Sequence, residues 1–66
     1  MQVTINGERE PLEREMSVAD LLADRRIESR RVAVEINEDI VPRKTYADTL
    51  VRDGDRIEIV TFVGGG

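Results

Sequence analysis

In Arg31-Val32-Ala33-Val34-Glu35-Ile36-Asn37, three branched aliphatic side chains alternate with Ala33, Glu35 and Asn37. Successive side chains of a strand point to opposite faces, so this period of two describes a strand with one buried face. Toward the N-terminus, Gln2 to Asn6 repeats the pattern, with Val3 and Ile5 on one face and Thr4 on the other. Asn6-Gly7 follows at once, and this pair signals a tight hairpin because both residues tolerate positive φ. The returning strand, Glu8 to Arg14, is polar and contains Pro11; proline cannot donate to a ladder, so this strand belongs at a sheet edge.

Between the hairpin and the central strand lies a short helix. Ser17 is its N-cap, Asp20 stands in the capping-box position, and Val18, Leu21 and Leu22 form one apolar stripe. Asp24-Arg25-Arg26 closes it, with basic side chains suited to the C-terminal dipole. Toward the C-terminus, Ile40-Val41-Pro42 reads as a short edge segment. Tyr46 and Leu50 sit one turn apart in a region read as irregular or a single 3₁₀ turn, and Asp53-Gly54-Asp55 is a turn. The last strand, Arg56 to Phe62, puts Ile57 and Ile59 on one face and Glu58, Val60 and Phe62 on the other.

This order implies an α+β domain in which one crossover helix covers one face of a mixed four- to five-stranded sheet. The expected core is Val3, Ile5, Leu21, Leu22, Val32, Val34, Ile36, Ile57 and Ile59. The 66 residues fit a single domain over 1–62 with a flexible glycine-rich tail over 63–66.

Composition excludes several classes of chemistry. The chain has no cysteine and no histidine, which removes disulfides, a thiol nucleophile, the commonest general base and the commonest metal ligand. No metal site and no catalytic residue is expected. The net charge of −4 repels phosphate backbones, and aromatic residues at 3% are too few for base-stacking platforms, so nucleic acid is not an expected partner. An excess of acid can also favour a basic partner, although it more often only keeps a small protein soluble. No segment approaches the ~20 apolar residues that span a membrane, and Met1 to Gly7 lacks an export leader, so the expected compartment is cytoplasmic.

Two internal constellations read as structure. Asp53 and Asp55 flank a turn glycine, which describes a solvated turn better than an acid–base pair. Arg25-Arg26 and Arg30-Arg31 lie among acids that weaken any anion field. The end of the chain is different. Three of the five glycines stand together in Val63-Gly64-Gly65-Gly66, directly after an apolar strand. Lacking Cβ, such a segment enters slots too narrow for other residues, and four extended residues reach roughly 13 Å. A terminal carboxylate, with a pKa of about 3.3–3.7, is an anionic nucleophile at neutral pH. Attack on the α-phosphate of ATP would give an acyl-adenylate whose carbonyl can accept sulfur. Composition alone leaves this reading and that of an incidental linker equally open.

The chain resembles the ThiS family, the sulfur carriers of thiamine thiazole biosynthesis, within the ubiquitin-like β-grasp group. The resemblance lies in Asn6-Gly7-Glu8, in Val32-Ala33-Val34-Glu35-Ile36-Asn37, in Ile40-Val41-Pro42-Arg43, and from Leu50 through Asp53-Gly54-Asp55-Arg56-Ile57-Glu58-Ile59-Val60 to Phe62-Val63-Gly64-Gly65-Gly66. It implies a carrier rather than an enzyme, with no bound cofactor. A ubiquitin-activating-type adenylating enzyme would use ATP and magnesium to adenylate Gly66. A cysteine desulfurase or rhodanese-type protein would supply the sulfur of a thiocarboxylate, and a thiazole synthase would consume it. Gly64 and Gly65 correspond to the threading segment. Val60 and Phe62, pointing away from the helix just before the tail, are with Val63 the candidate partner surface.

Besides a carrier for another sulfur-incorporating pathway, such as cysteine synthesis or transfer RNA thiolation, three alternatives stand beside this one. The molybdopterin-synthase small subunit resembles the same fold, but its end tends to carry proline before two glycines, where this chain has Thr61-Phe62-Val63 and three. A ubiquitin-like protein modifier is the second, although Lys44 as the only lysine leaves little for chain building. The third is a plain adaptor.

Overall fold

The computed structural model describes residues 1–62. Seven strands and one α-helix follow in order: β1 Gln2–Ile5, β2 Glu8–Pro11, β3 Met16–Ser17, α1 Val18–Asp24, β4 Val32–Ile36, β5 Asp39–Val41, β6 Leu50–Val51 and β7 Arg56–Thr61. Single 3₁₀ turns at Ser29–Arg31 and Arg43–Thr45 precede β4 and follow β5. Five strands form one sheet in the order β2-β1-β7-β4-β5. β7 lies at its centre, parallel to β1 and antiparallel to β4, so the sheet is mixed as expected.

Both hairpins close with two-residue turns whose central residues have positive φ, the geometry that matches strand twist. The first is Asn6-Gly7, at φ 50° and 85°. The second is Asn37-Glu38, at φ 52° and 74°. Sequence pattern found the first and not the second, because Glu38 occupies the place where glycine is usual. Strand β2 stops at Pro11 rather than at Arg14. The Leu12 N–H still donates to the Met1 carbonyl at 2.8 Å, and beyond it Glu13, Arg14 and Glu15 are exposed and leave the sheet.

Helix α1 begins as the sequence indicates: the Asp20 N–H donates to the Ser17 hydroxyl at 3.0 Å. The Val18 and Ala19 amides, otherwise orphaned in the first turn, donate to the carbonyls of Thr49 and Tyr46. Its far end corrects the expectation of a basic last turn facing the dipole, since no basic residue lies there. Instead Arg26 takes the left-handed conformation at φ 59°, the Ile27 N–H donates to Leu22 and the Arg26 N–H to Ala23. These two bonds are a Schellman closure, usually built on glycine, and Ile27 packs on the core beside them.

The core contains Val3, Ile5, Val18, Leu21, Leu22, Val32, Val34 and Ile57, joined by Met16, Val41, Tyr46 and Val51. Ile36 and Ile59, expected within it, are only partly buried. Seven helical residues span about 10 Å at 1.5 Å each and cannot roof the whole sheet face. The rest of the roof is the segment from Arg43 to Val51, where β6 pairs antiparallel with β3, Met16 opposite Val51. This small second sheet was not expected. It buries Val51 and leaves Leu50 exposed, while Tyr46 is buried with its hydroxyl 3.4 Å from the Val32 carbonyl.

Candidate functional site

The candidate site is the open face of the sheet and the C-terminal end of β7. Five residue pairs with β4, from Val32↔Thr61 to Ile36↔Ile57, hold β7 along its length. The Phe62 N–H adds a further bond to the Arg31 carbonyl at 2.9 Å, so the sheet holds the chain through the end of the described residues.

On the other side the parallel pairing with β1 spans only Thr4↔Arg56 and Ile5↔Ile57 before β1 turns away. Asn6 extends it. Its side-chain amide donates to the Ile59 carbonyl at 3.2 Å, and its side-chain oxygen accepts from the Ile59 N–H at 2.7 Å. The amide thereby takes the place of a further strand residue. Asn37 makes a related contact at the start of β7, its side-chain oxygen accepting from the Arg56 N–H at 2.9 Å and its amide donating to the Asp55 carboxylate at 3.0 Å.

Sequence reading took Asn6 as a turn residue and Asn37 as a strand end and missed both side-chain clamps; the legible signal was that asparagine adopts the left-handed turn more readily than most non-glycine residues and carries an amide that mimics backbone.

The internal constellations hold the fold together. The Asp53 carboxylate accepts from the Gln2 N–H at 2.7 Å, and Asp55 accepts from the Arg52 N–H at 2.8 Å. Arg25 makes a two-pronged bond to Glu10 at 2.7 and 2.9 Å, which holds the Glu10 carboxyl below the ordinary carboxylate range and raises the guanidinium. Arg30 and Arg31 both face Glu28, at 3.2 and 3.9 Å. Among the described residues, no group of three or more His, Cys, Asp or Glu could hold a metal ion. No described helix is long and apolar enough to cross a membrane.

Val60 and Phe62 stand on the sheet face away from the helix, 56% and 50% exposed, while Ile57 on the opposite side of the same strand is fully buried. Ile40, 76% exposed on β5, joins them on the open face, where it lies opposite Glu35. Ile40 escaped sequence reading because its place depends on how β5 registers against β4. Val63, Gly64, Gly65 and Gly66, the remaining candidate residues, lie outside the described residues.

A central strand running parallel to the first one, antiparallel hairpins on both flanks and a single helix across one face define a ubiquitin-like β-grasp domain. Within that class the sequence profile of the ThiS family matches residues 3–66, and the chain belongs to this family. The crystal structure of the thiamine biosynthesis protein ThiS from Geobacter metallireducens superposes with a TM-score of 0.87 at 32% identity, over all of both chains. The sulfur carrier protein ThiS of Bacillus subtilis is 44% identical over 50 residues, covering 76% of each chain. A thiazole synthase of Paramagnetospirillum magneticum is 48% identical over all 66 residues, and this chain spans 20% of its length.

Proposed function

We propose that the chain is a sulfur carrier for thiamine thiazole formation and that the carboxylate of Gly66 carries the sulfur. The observation behind this reading is the sheet's hold on β7 up to Phe62, followed by a valine and three glycines that the family match includes. The body is built to keep the strand end fixed, and the three glycines that follow Val63 have no side chain to obstruct entry into a partner's active site.

The chemistry follows from the carboxylate. Adenylated by a ubiquitin-activating-type partner that holds ATP and magnesium, Gly66 becomes an acyl-adenylate with release of pyrophosphate. The outer sulfur of a persulfide on a cysteine desulfurase or rhodanese-type protein then attacks the carbonyl and displaces AMP; a thiol cleaves the resulting acyl disulfide, leaving the thiocarboxylate while the thiol and the donor sulfur end as a disulfide. Thiazole synthase is the consumer, supported by the relative of that name that contains a segment like this chain. Val60 and Phe62, with Val63, serve as the partner surface beside the entering tail.

Intact mass after isolation from the native cell tests the assignment. Exchange of one oxygen for sulfur in the peptide ending at Gly66 supports the carrier; an isopeptide adduct would make the chain a modifier, and an unmodified chain even with activating enzyme, ATP and sulfur donor would make it an adaptor. Deleting Gly66 is expected to leave unfolding unchanged and abolish sulfur loading.

A further inference from the structure

Glu35 on β4 and Glu58 on β7 stand directly opposite one another on the open face of the sheet. Directly opposed residues have Cβ atoms about 4.5–5.5 Å apart, and like charges there are unfavourable. Among the described residues neither carboxylate enters an ion pair: the nearest arginine along the strand, Arg56, reaches Glu38 at 3.5 Å instead. Both line a shallow depression with Thr4, Gly7, Arg56 and Glu38. Nothing in the folding of the sheet calls for this pair.

Its surroundings are apolar on the side toward the tail. The row that carries the two glutamates continues to Ile40 on β5, and the next row pairs Val60 with Ala33. An acidic centre flanked by exposed aliphatic groups is complementary to a cation flanked by apolar surface. Contact would exclude water around the pair and strengthen its attraction for that cation. A second copy of this chain does not fit, because it would bring two more carboxylates against these two. A divalent ion does not fit either, because the third carboxylate of the depression, Glu38, is paired with Arg56, and no group of three among the described residues could hold a metal. The planar guanidinium, with five donors in a fork, can bridge the carboxylates of two opposed residues, whereas an ammonium is a point charge.

We propose that the open face docks thiazole synthase through a basic side chain, arginine, seated between Glu35 and Glu58, with aliphatic groups of the enzyme packed on Ile40 and Val60. This rests on the carrier reading above and adds the chemistry by which the carrier body, as distinct from its tail, is recognised. The repulsion tolerated in the free protein is relieved only in the complex.

The experiment titrates the full chain, as native, Glu35→Gln and Glu58→Gln, into purified thiazole synthase of the same organism. Thermal melting of each free chain and the mass of each after sulfur loading are read in parallel. The expected result is a melting temperature equal to or above native in both variants, binding weakened tenfold or more, and a shallower dependence of binding on salt. A role in folding alone would lower melting and leave binding unchanged. Binding within twofold of native in both variants, or no binding by the native chain, overturns the docking site. The two readings fail separately: absence of sulfur at Gly66 refutes the carrier, whereas normal loading with undiminished binding by the variants refutes only the glutamate pair.

Discussion

The two faces of β7 have opposite surroundings. On one side Ile57 is fully enclosed and Ile59 partly so, under α1 and the segment from Arg43 to Val51. On the other side Glu58, Val60 and Phe62 meet solvent, although the same backbone bonds hold both sets. A strand can thus be rigid without its side chains being committed to the fold. The difference separates what holds the body together from what is free to meet a partner.

Substitution should expose that division. Ile57→Ala removes a fully buried side chain from the covered face and is expected to cost about 2–5 kcal/mol, read by urea unfolding. Phe62→Ser on the open face is expected to leave unfolding nearly unchanged while slowing adenylation by the cognate activating enzyme. Lost stability with unchanged adenylation would instead make Phe62 a lid over the sheet and erase the contrast.

The asparagine clamp tests how much of the strand's rigidity is independent of the core. Asn6→Ala removes two hydrogen bonds to Ile59 and leaves a left-handed φ for alanine to adopt, an expected loss of about 1–2 kcal/mol. Amide exchange at Ile59 should accelerate more than at Val34, its partner on β4, which the Asn6 side chain does not touch. Equal acceleration at both would mean that the clamp acts only through global stability.

Smaller effects sharpen the picture of the cover itself. Arg26→Gly relieves the left-handed strain at the end of α1 and is expected to stabilise by about 1 kcal/mol, raising the melting temperature without affecting partner binding. The smallest effect concerns the ion pair that ties the helix end to β2. Glu10 has a folded pKa below its unfolded value, so its contribution is present above the unfolded pKa and disappears as pH falls through the folded one. Both partners are about one-third exposed, at 34% and 29%, which limits the contribution to roughly 0.2–1 kcal/mol. A Glu10→Gln variant should therefore be less stable than native at neutral pH and indistinguishable from it in strong acid.

Much of this was legible in the order of the residues. The alternation in Val32-Ala33-Val34-Glu35-Ile36 identified β4, Asn6-Gly7 identified the β1–β2 hairpin, and Ser17 marked the start of the helix. Each depends on side chains near one another in the chain, where backbone geometry dictates direction. The exposure of Val60 and Phe62 was equally legible, because a period of two assigns them to the face opposite Ile57. The β3–β6 pair, with two residues on each side, was too short to show a period at all.

Local pattern therefore settled the type of each longer element and the side on which its apolar groups lie, since steric limits on φ and ψ act over a few residues. Pairing across the chain was decided only when the parts came together: Asn6 against Ile59, Tyr46 beneath Val32, Glu35 facing Glu58. Such neighbours are separated by up to 53 positions. Their approach depends on how a short helix and a few branched side chains exclude water from one side of a sheet, and no window of sequence contains that information.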